Sequence, residues 1–281
     1  MMKLFTFRLA GTLLGVLTIA GNAAHADYLG YSGFEETYSI TSSGTYDITA
    51  AGAQGGGSSN DSGGLGAIID ANVYLTAGTQ LDVVVGGEGA NGAYGDLYGG
   101  GGGGGTFVWI DASTSPLIVA GGGGGAAWAN SNGGSGLSGT FGSGLGGAGT
   151  GSEGAGGGGW FSDGGGASCA SGGASSADGF GGGGSCYTPG GFGGGGGGGF
   201  DGGGGGGGFD GGAGSSGGAG GGDSYLDPSV TLNSATDGAN SGNGFVDITQ
   251  VGPSAPEPGS IVLLTLGLGG LAFSMRKKLS A

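Results

Sequence analysis

Between Asp27 and Gly259 the chain contains no lysine, no arginine and no histidine. All five basic residues and the single histidine lie in its two ends. This absence excludes a good deal of chemistry. Without histidine, a Ser-His-Asp or Cys-His nucleophilic site cannot be built in the body of the chain. Without lysine there is no phosphate-binding Gly-Lys-Ser/Thr loop, and Gly-x-Gly-x-x-Gly matches carry no weight in a sequence this rich in glycine. Without a cationic patch, nucleic acid has nothing to bind, so no nucleic-acid partner is expected. Proline is also scarce, with 6 residues against 88 glycines in 281, and glycine shows no strict every-third-residue period. Collagen is therefore excluded. Only two cysteines occur, Cys169 and Cys186, not in Cys-x-x-Cys spacing, so a metal site on thiolates is not expected. Carboxylate pairs remain the one route to acid-base catalysis. Glu35 and Glu36 adjoin, yet nothing in the sequence marks a cleft around them, and no enzyme activity is expected.

What is present at the ends has the form of addressing segments. Lys3 and Arg8 precede an uncharged apolar stretch at 9–20, and Ala24-His25-Ala26 supplies a small-x-small cleavage site. Residues 1–26 read as a secretory signal peptide with Asp27 as the first mature residue, removed by signal peptidase at Ala24 and Ala26. At the other end Pro256-Glu257-Pro258 precedes the apolar run 261–275 and then Arg276, Lys277 and Lys278. Fifteen helical residues reach roughly 22 Å against a hydrocarbon core of about 30 Å, short for a permanent span but sufficient to halt translocation. The basic trio would then stay cytoplasmic as a stop. The order Pro-Glu-Pro, apolar helix, basic end resembles the PEP-CTERM sorting signal of Gram-negative bacteria. That resemblance implies transient anchoring in the inner membrane by a transmembrane helix, removal of the tail by an exosortase, and delivery to the cell surface or extracellular matrix.

Removing both ends leaves a body with no base. Of the 20 acidic residues only Glu257 lies beyond 251, and none precedes Asp27. Carboxylates without cationic partners invite divalent cations outside the cell. Asp201 and Asp210 stand nine apart, the period of calcium-binding nonapeptides, but Gly203 and Gly212 fill the position where such repeats need an aliphatic residue. No cofactor or metal is expected. Cys169 and Cys186, an even count in an exported chain, are expected to form a disulfide, worth roughly 3 kcal/mol for a loop of this size.

The body, 27–250, reads as one all-β domain, followed by the sorting segment 251–281. Thr45–Thr49 alternates polar and apolar, and 67–75 and 80–85 are strand-like segments joined by Thr76-Ala77-Gly78-Thr79, a hairpin signal. Strands at 106–110 and 116–120 flank the turn 111–115, and a last strand covers 244–248. Strands at both ends of the body point to one sandwich. Glycine runs adjoin these strands and fill much of 156–222. The unit GGGGGGGFD occurs twice between 193 and 210, which places Phe200 and Phe209 nine apart. Such runs read by composition as linker. Strand-like interruptions and the purity of the runs favour extended three-residue-per-turn helices, which lack internal hydrogen bonds and persist only by bonding laterally to one another. The two units form either one straight rod with both Phe on one face, or two rods side by side bent at Phe-Asp-Gly.

Several stretches in order resemble the glycine-rich domain of anaplastic lymphoma kinase-type receptors and of bacterial surface proteins: YDITAAGAQGGG at 46–57, LDVVVGG at 81–87, GGGGGTFV at 101–108, PLIVAGGGGG at 116–125, GGGDSY at 220–225 and NSGNGFVDIT at 240–249. The resemblance implies a jelly-roll-like β-sandwich carrying a bundle of polyglycine-type extended helices. The expected function is that of an exported structural protein of the cell surface or biofilm matrix. The alternative is an adhesin or polysaccharide-binding module, with exopolysaccharide as partner. Trp109 lies in a strand and reads as core. Trp160 and Phe161, set amid glycine, are the candidate ligand contact.

Overall fold

The computed structural model describes residues 26–251 except 60, 93–96, 129–130, 140–142, 151–152 and 186. Ten strands are assigned: β1 (Ala26–Gly30), β2 (Glu36–Ser39), β3 (Gly44–Ala51), β4 (Gly66–Leu75), β5 (Gln80–Val84), β6 (Thr106–Ile110), β7 (Ile118–Ala120), β8 (Tyr225–Leu226), β9 (Thr231–Asn240) and β10 (Phe245–Val251). They form two antiparallel five-stranded sheets, ordered β1-β10-β3-β4-β9 and β2-β5-β6-β7-β8. The expected strands at 45–49, 67–75, 80–85, 106–110, 116–120 and 244–248 are all strands here, with small differences at their ends.

Period-two alternation explains which face each strand buries. Ile48, Ile69, Ala71, Val73, Val246 and Ile248 of the first sheet meet Leu81, Val83, Val108 and Ile118 of the second in one buried cluster. The intervening residues of the second sheet are buried as well. Val84, Phe107, Trp109 and Val119 form another cluster with Trp160, Phe180 and Phe209 from the glycine-rich segments. The second sheet is thus covered on both faces, which is why 106–110 and 116–120 read as nearly unbroken apolar runs. Trp109 is core, as its strand position suggests.

One pairing departs from the sequence reading. Thr76–Thr79 does make a tight turn, closed by the Thr79 N–H donating to the Thr76 carbonyl at 3.1 Å. It does not join a hairpin, because β4 pairs with β3 and β9 while β5 pairs with β2 and β6. The turn carries the chain from one sheet to the other. It is tied to the opposite crossing at Ile40, whose N–H donates to Thr79 and whose carbonyl accepts from Gly78. By contrast, 106–110 and 116–120 do pair, with Phe107 opposite Val119.

The expected bundle of polyglycine-type helices is not among the assigned elements. Among the described residues the one helical assignment is a single 3-10 turn at Ser176–Asp178. The glycine runs instead satisfy their backbone sideways. In the run 99–105, the N–H groups of Gly99, Gly102 and Gly105 donate to Gly199, Gly196 and Gly193. Those of Gly100 and Gly103 donate to Ala126 and Gly123, and those of Gly101 and Gly104 to Ala90 and Gly87. Every third residue therefore faces the same neighbouring segment, and three segments are engaged in turn. The runs 193–199 and 202–208 also bond to each other, Gly196 to Gly205 at 2.8 Å and Gly199 to Gly202 at 2.9 Å. The chain bends between them at Phe200 and Asp201, and Asp201 takes a left-handed φ of 62°. Of the two arrangements open to the repeated unit, the side-by-side one is observed. Close approach of backbones makes glycine obligatory here: a β-carbon on Gly205 would sit 2.6 Å from the Gly212 carbonyl carbon.

Candidate functional site

Trp160 and Phe161 are neighbours in sequence but have opposite fates. The Trp160 ring is only 4% exposed and packs against Phe107, Trp109 and Phe180 at centroid distances of 5.6 to 5.9 Å. Its Nε1–H donates to the Thr114 carbonyl at 3.1 Å, closing the turn between β6 and β7. An indole held in this way offers no open stacking face. Phe161 is 57% exposed, its ring steeply inclined to that of Phe209 at a centroid distance of 6.2 Å. The expected contact pair thus divides into an anchor of the glycine layer and one exposed ring.

Sequence reasoning passed over Phe180, which completes that buried cluster together with Phe209 of the repeated unit. Phe180 is flanked by glycine on both sides, and no periodicity marks it as core. Sequence reasoning also passed over hydroxyls that serve backbone groups where glycine runs meet strands. The Thr106 hydroxyl donates to Ala51 at 2.6 Å and accepts from the Gly86 N–H at 3.0 Å. Ser224 does the same between Leu137 and Gly121, and Thr188 donates to Gly99. The available signal was Ser or Thr placed near the ends of glycine runs.

The open face of the first sheet carries carboxylates. Thr49 lies between Asp70 on β4 and Asp247 on β10 in the strand register, with Asp47 two residues earlier on β3. Asp47 is pushed up to about 6, first by burial, then by a shared hydrogen bond with Asp70 and the charges of Asp70 and Asp247. This arrangement can hold a proton between carboxylates at mildly acidic pH. Nearer the glycine layer, burial and the charge of Asp210 raise Asp223, while the Ser175 N–H holds Asp163 below the usual carboxylate range. Asp210 itself accepts from the Leu145 N–H at 2.8 Å, and Asp201 sits at the bend between two glycine runs. Among the described residues no group of three or more His, Cys, Asp or Glu is placed to hold a metal ion.

Cys169 borders a shallow cavity of about 430 Å³ that Ala167, Ser171, Gly184 and Ser185 also line. Cys186 lies outside the described residues. So do Ala24, Pro256, Glu257, Pro258, Arg276, Lys277, Lys278 and the apolar run 261–275. Ala26 opens β1 and pairs with Thr249, so the proposed signal cleavage point and the last strand of the body lie side by side. Among the described residues no helix is long and apolar enough to cross a membrane.

Residues 254–278 match the PEP-CTERM protein-sorting motif. The protein is therefore exported and sorted by exosortase, with the membrane-associated processing that this motif entails in Gram-negative bacteria. No curated protein matches the chain.

Proposed function

We propose that this PEP-CTERM protein is a structural component of the cell surface or extracellular biofilm matrix, released from the inner membrane after processing at both ends, and that it is not an enzyme. The observation that carries the reading is the sorting motif at 254–278, behind a body that begins and ends in adjacent strands. In this reading signal peptidase acts at Ala24 and Ala26, and exosortase near Pro256–Pro258, with Arg276, Lys277 and Lys278 as the cytoplasmic stop.

The finer description of the body belongs to the same proposal. The sheets make a jelly-roll-like sandwich and the glycine runs a bundle of polyglycine-type helices, as in the glycine-rich domain of the receptors named above. The third-residue recurrence of lateral hydrogen bonds supports this, because a three-residue-per-turn helix turns the same side to its neighbour at every third residue. A Cys169–Cys186 disulfide would cross-link this layer. In its support, Ala170 pairs antiparallel with Ser185, the residues next to the two cysteines in sequence.

Mass spectrometry of extracellular material tests the processing. Peptides that begin at Asp27 and end near Pro256–Pro258 are expected, and intact peptides reaching Ala281 in the matrix would contradict it. The adhesin reading is favoured by exposed aromatics such as Phe161.

A further inference from the structure

The glycine runs expel side chains, so bulky residues collect where the runs end. At one such corner three segments meet. Tyr98 precedes the run 99–105, and Phe200 with Asp201 makes the bend between 193–199 and 202–208. Tyr187 comes from the segment before Pro189. Tyr98 and Phe200 are antiparallel bridge partners, and their rings lie edge to face at 6.0 Å. Tyr98 and Tyr187 are stacked at 3.7 Å with 15° between their planes. Tyr187 is nevertheless 45% exposed and Phe200 46%, so stacking leaves open ring surface. Two backbone bonds fix the corner: the Asp201 N–H donates to Leu97 at 2.8 Å, and the Trp128 N–H donates to the Asp201 carbonyl. Trp128 is itself exposed. Asp201 Oδ1 is screened from solvent without a hydrogen-bond partner, an acceptor left over in a molecule whose polar groups are otherwise widely paired.

We infer that this corner, with the exposed rings of Tyr187 and Phe200 held against Tyr98 as the platform, is a binding site for a neutral polysaccharide. Flat aromatic faces match the C–H face of a pyranose ring. A neutral polymer also suits the charge. The chain between Asp27 and Val251 carries acids and no base, which repels polyanions. A cationic partner would be drawn to the acids over the whole body and would have no need of preset rings at one corner. Phe161, the exposed ring expected from sequence, meets a ring that is itself buried, Phe209, and the binding function is placed at this corner instead. The site deepens the polysaccharide-binding alternative and rests on export alone. A failure here leaves the processing at both ends intact, because that is read by peptide termini.

The test is affinity electrophoresis of the processed protein in gels containing hydroxyethylcellulose, at low and high salt, with polygalacturonate and polylysine as charged counterparts. Retardation by the neutral glucan at both salts is expected. Phe200→Ala and Tyr187→Ala should each weaken it about tenfold, the scale of a buried aromatic contact, while Phe161→Ala should leave it unchanged. If an alanine variant does not fold, Tyr187→Leu and Phe200→Leu keep the bulk and remove the flat ring. With the unaltered protein, a soluble cello-oligosaccharide should shield exposed Trp128 from iodide quenching. The inference is overturned by an unretarded parent protein, by retardation that both ring variants retain, by binding confined to polylysine and lost in salt, or by a corner whose variants change only self-association in sedimentation.

Discussion

At Gly205 the packing of the glycine layer comes down to one carbon atom. A β-carbon there meets the Gly212 carbonyl and lies 2.8 Å from the Gly157 nitrogen. Gly205→Val must push at least one segment away, straining lateral hydrogen bonds worth about 1 kcal/mol each net, and more where a group stays buried and unpaired. A loss of a few kcal/mol is expected in thermal or urea unfolding. Ser216→Val, at an exposed position, should change little. If Gly205→Val melted with the parent, the close packing of this run would be wrong. Trp160 and Phe161 make a second residue-scale contrast. Trp160→Ala removes a buried ring bound to Thr114 and should cost about 3–5 kcal/mol, as large aromatic truncations in cores do. Phe161→Ala should cost well under half of that. Equal melting temperatures for the two variants would contradict the assignment of Trp160 as the anchor. The sequence marked both residues as unusual, yet could not separate them, because glycine neighbours carry no periodicity to say which side chain turns inward.

Among elements, legibility followed hydrophobic patterning. β3, β4, β6 and β10 alternate or run apolar and could be read in the chain. β9 could not: TLNSATDGAN has no apolar alternation, is exposed along nearly its whole length, and is held by its ladder to β4. β1, β2 and the two-residue β8 are too short or too mixed to stand out. The 76–79 turn was visible, but its destination was not, because a tight turn fixes chain reversal and says nothing of which sheet receives the next strand. The lateral bonding of glycine was arguable from physics, whereas the partners of each run were not, since all runs look alike. Two predictions belong here. Asp47 gathers the charge of two other strands, and its folded value of about 6 exceeds the ordinary 3.8. A carboxyl raised by folding stabilises the native state at pH below its unfolded value, and that contribution is lost as pH rises through about 6. Stability should therefore decline from pH 4 toward pH 7 at this group, and Asp47→Asn should flatten that decline and melt higher than the parent at neutral pH. A steeper decline in the variant would contradict the carboxylate pairing. For the cysteines, unreduced processed protein should resist alkylation at Cys169 and Cys186 and react at both after reduction. Labelling of both without reductant would refute the cross-link.

For the whole molecule, the export of the chain was legible because the addressing segment is read by its order of parts, with little dependence on fold. The body was legible as all-β, while the corner where Tyr98, Tyr187 and Phe200 meet was not, since it joins residues about 100 positions apart, a separation only the fold can bridge. The two ends of the body emerge in paired strands, Ala26 opposite Thr249. What distinguishes this molecule from a sandwich with a loose glycine linker is that every amide of the runs 99–105, 193–199 and 203–208 donates to a named backbone carbonyl. Hydrogen exchange of the processed protein reads those amides directly. Protected amides open only by local or global unfolding, whereas free linker amides exchange at once. The account predicts that Gly102, Gly103, Gly196, Gly204 and Gly207 exchange as slowly as the strand residues Val108 and Ile248. Exchange of the 193–208 amides at the rate of an unstructured peptide would contradict it.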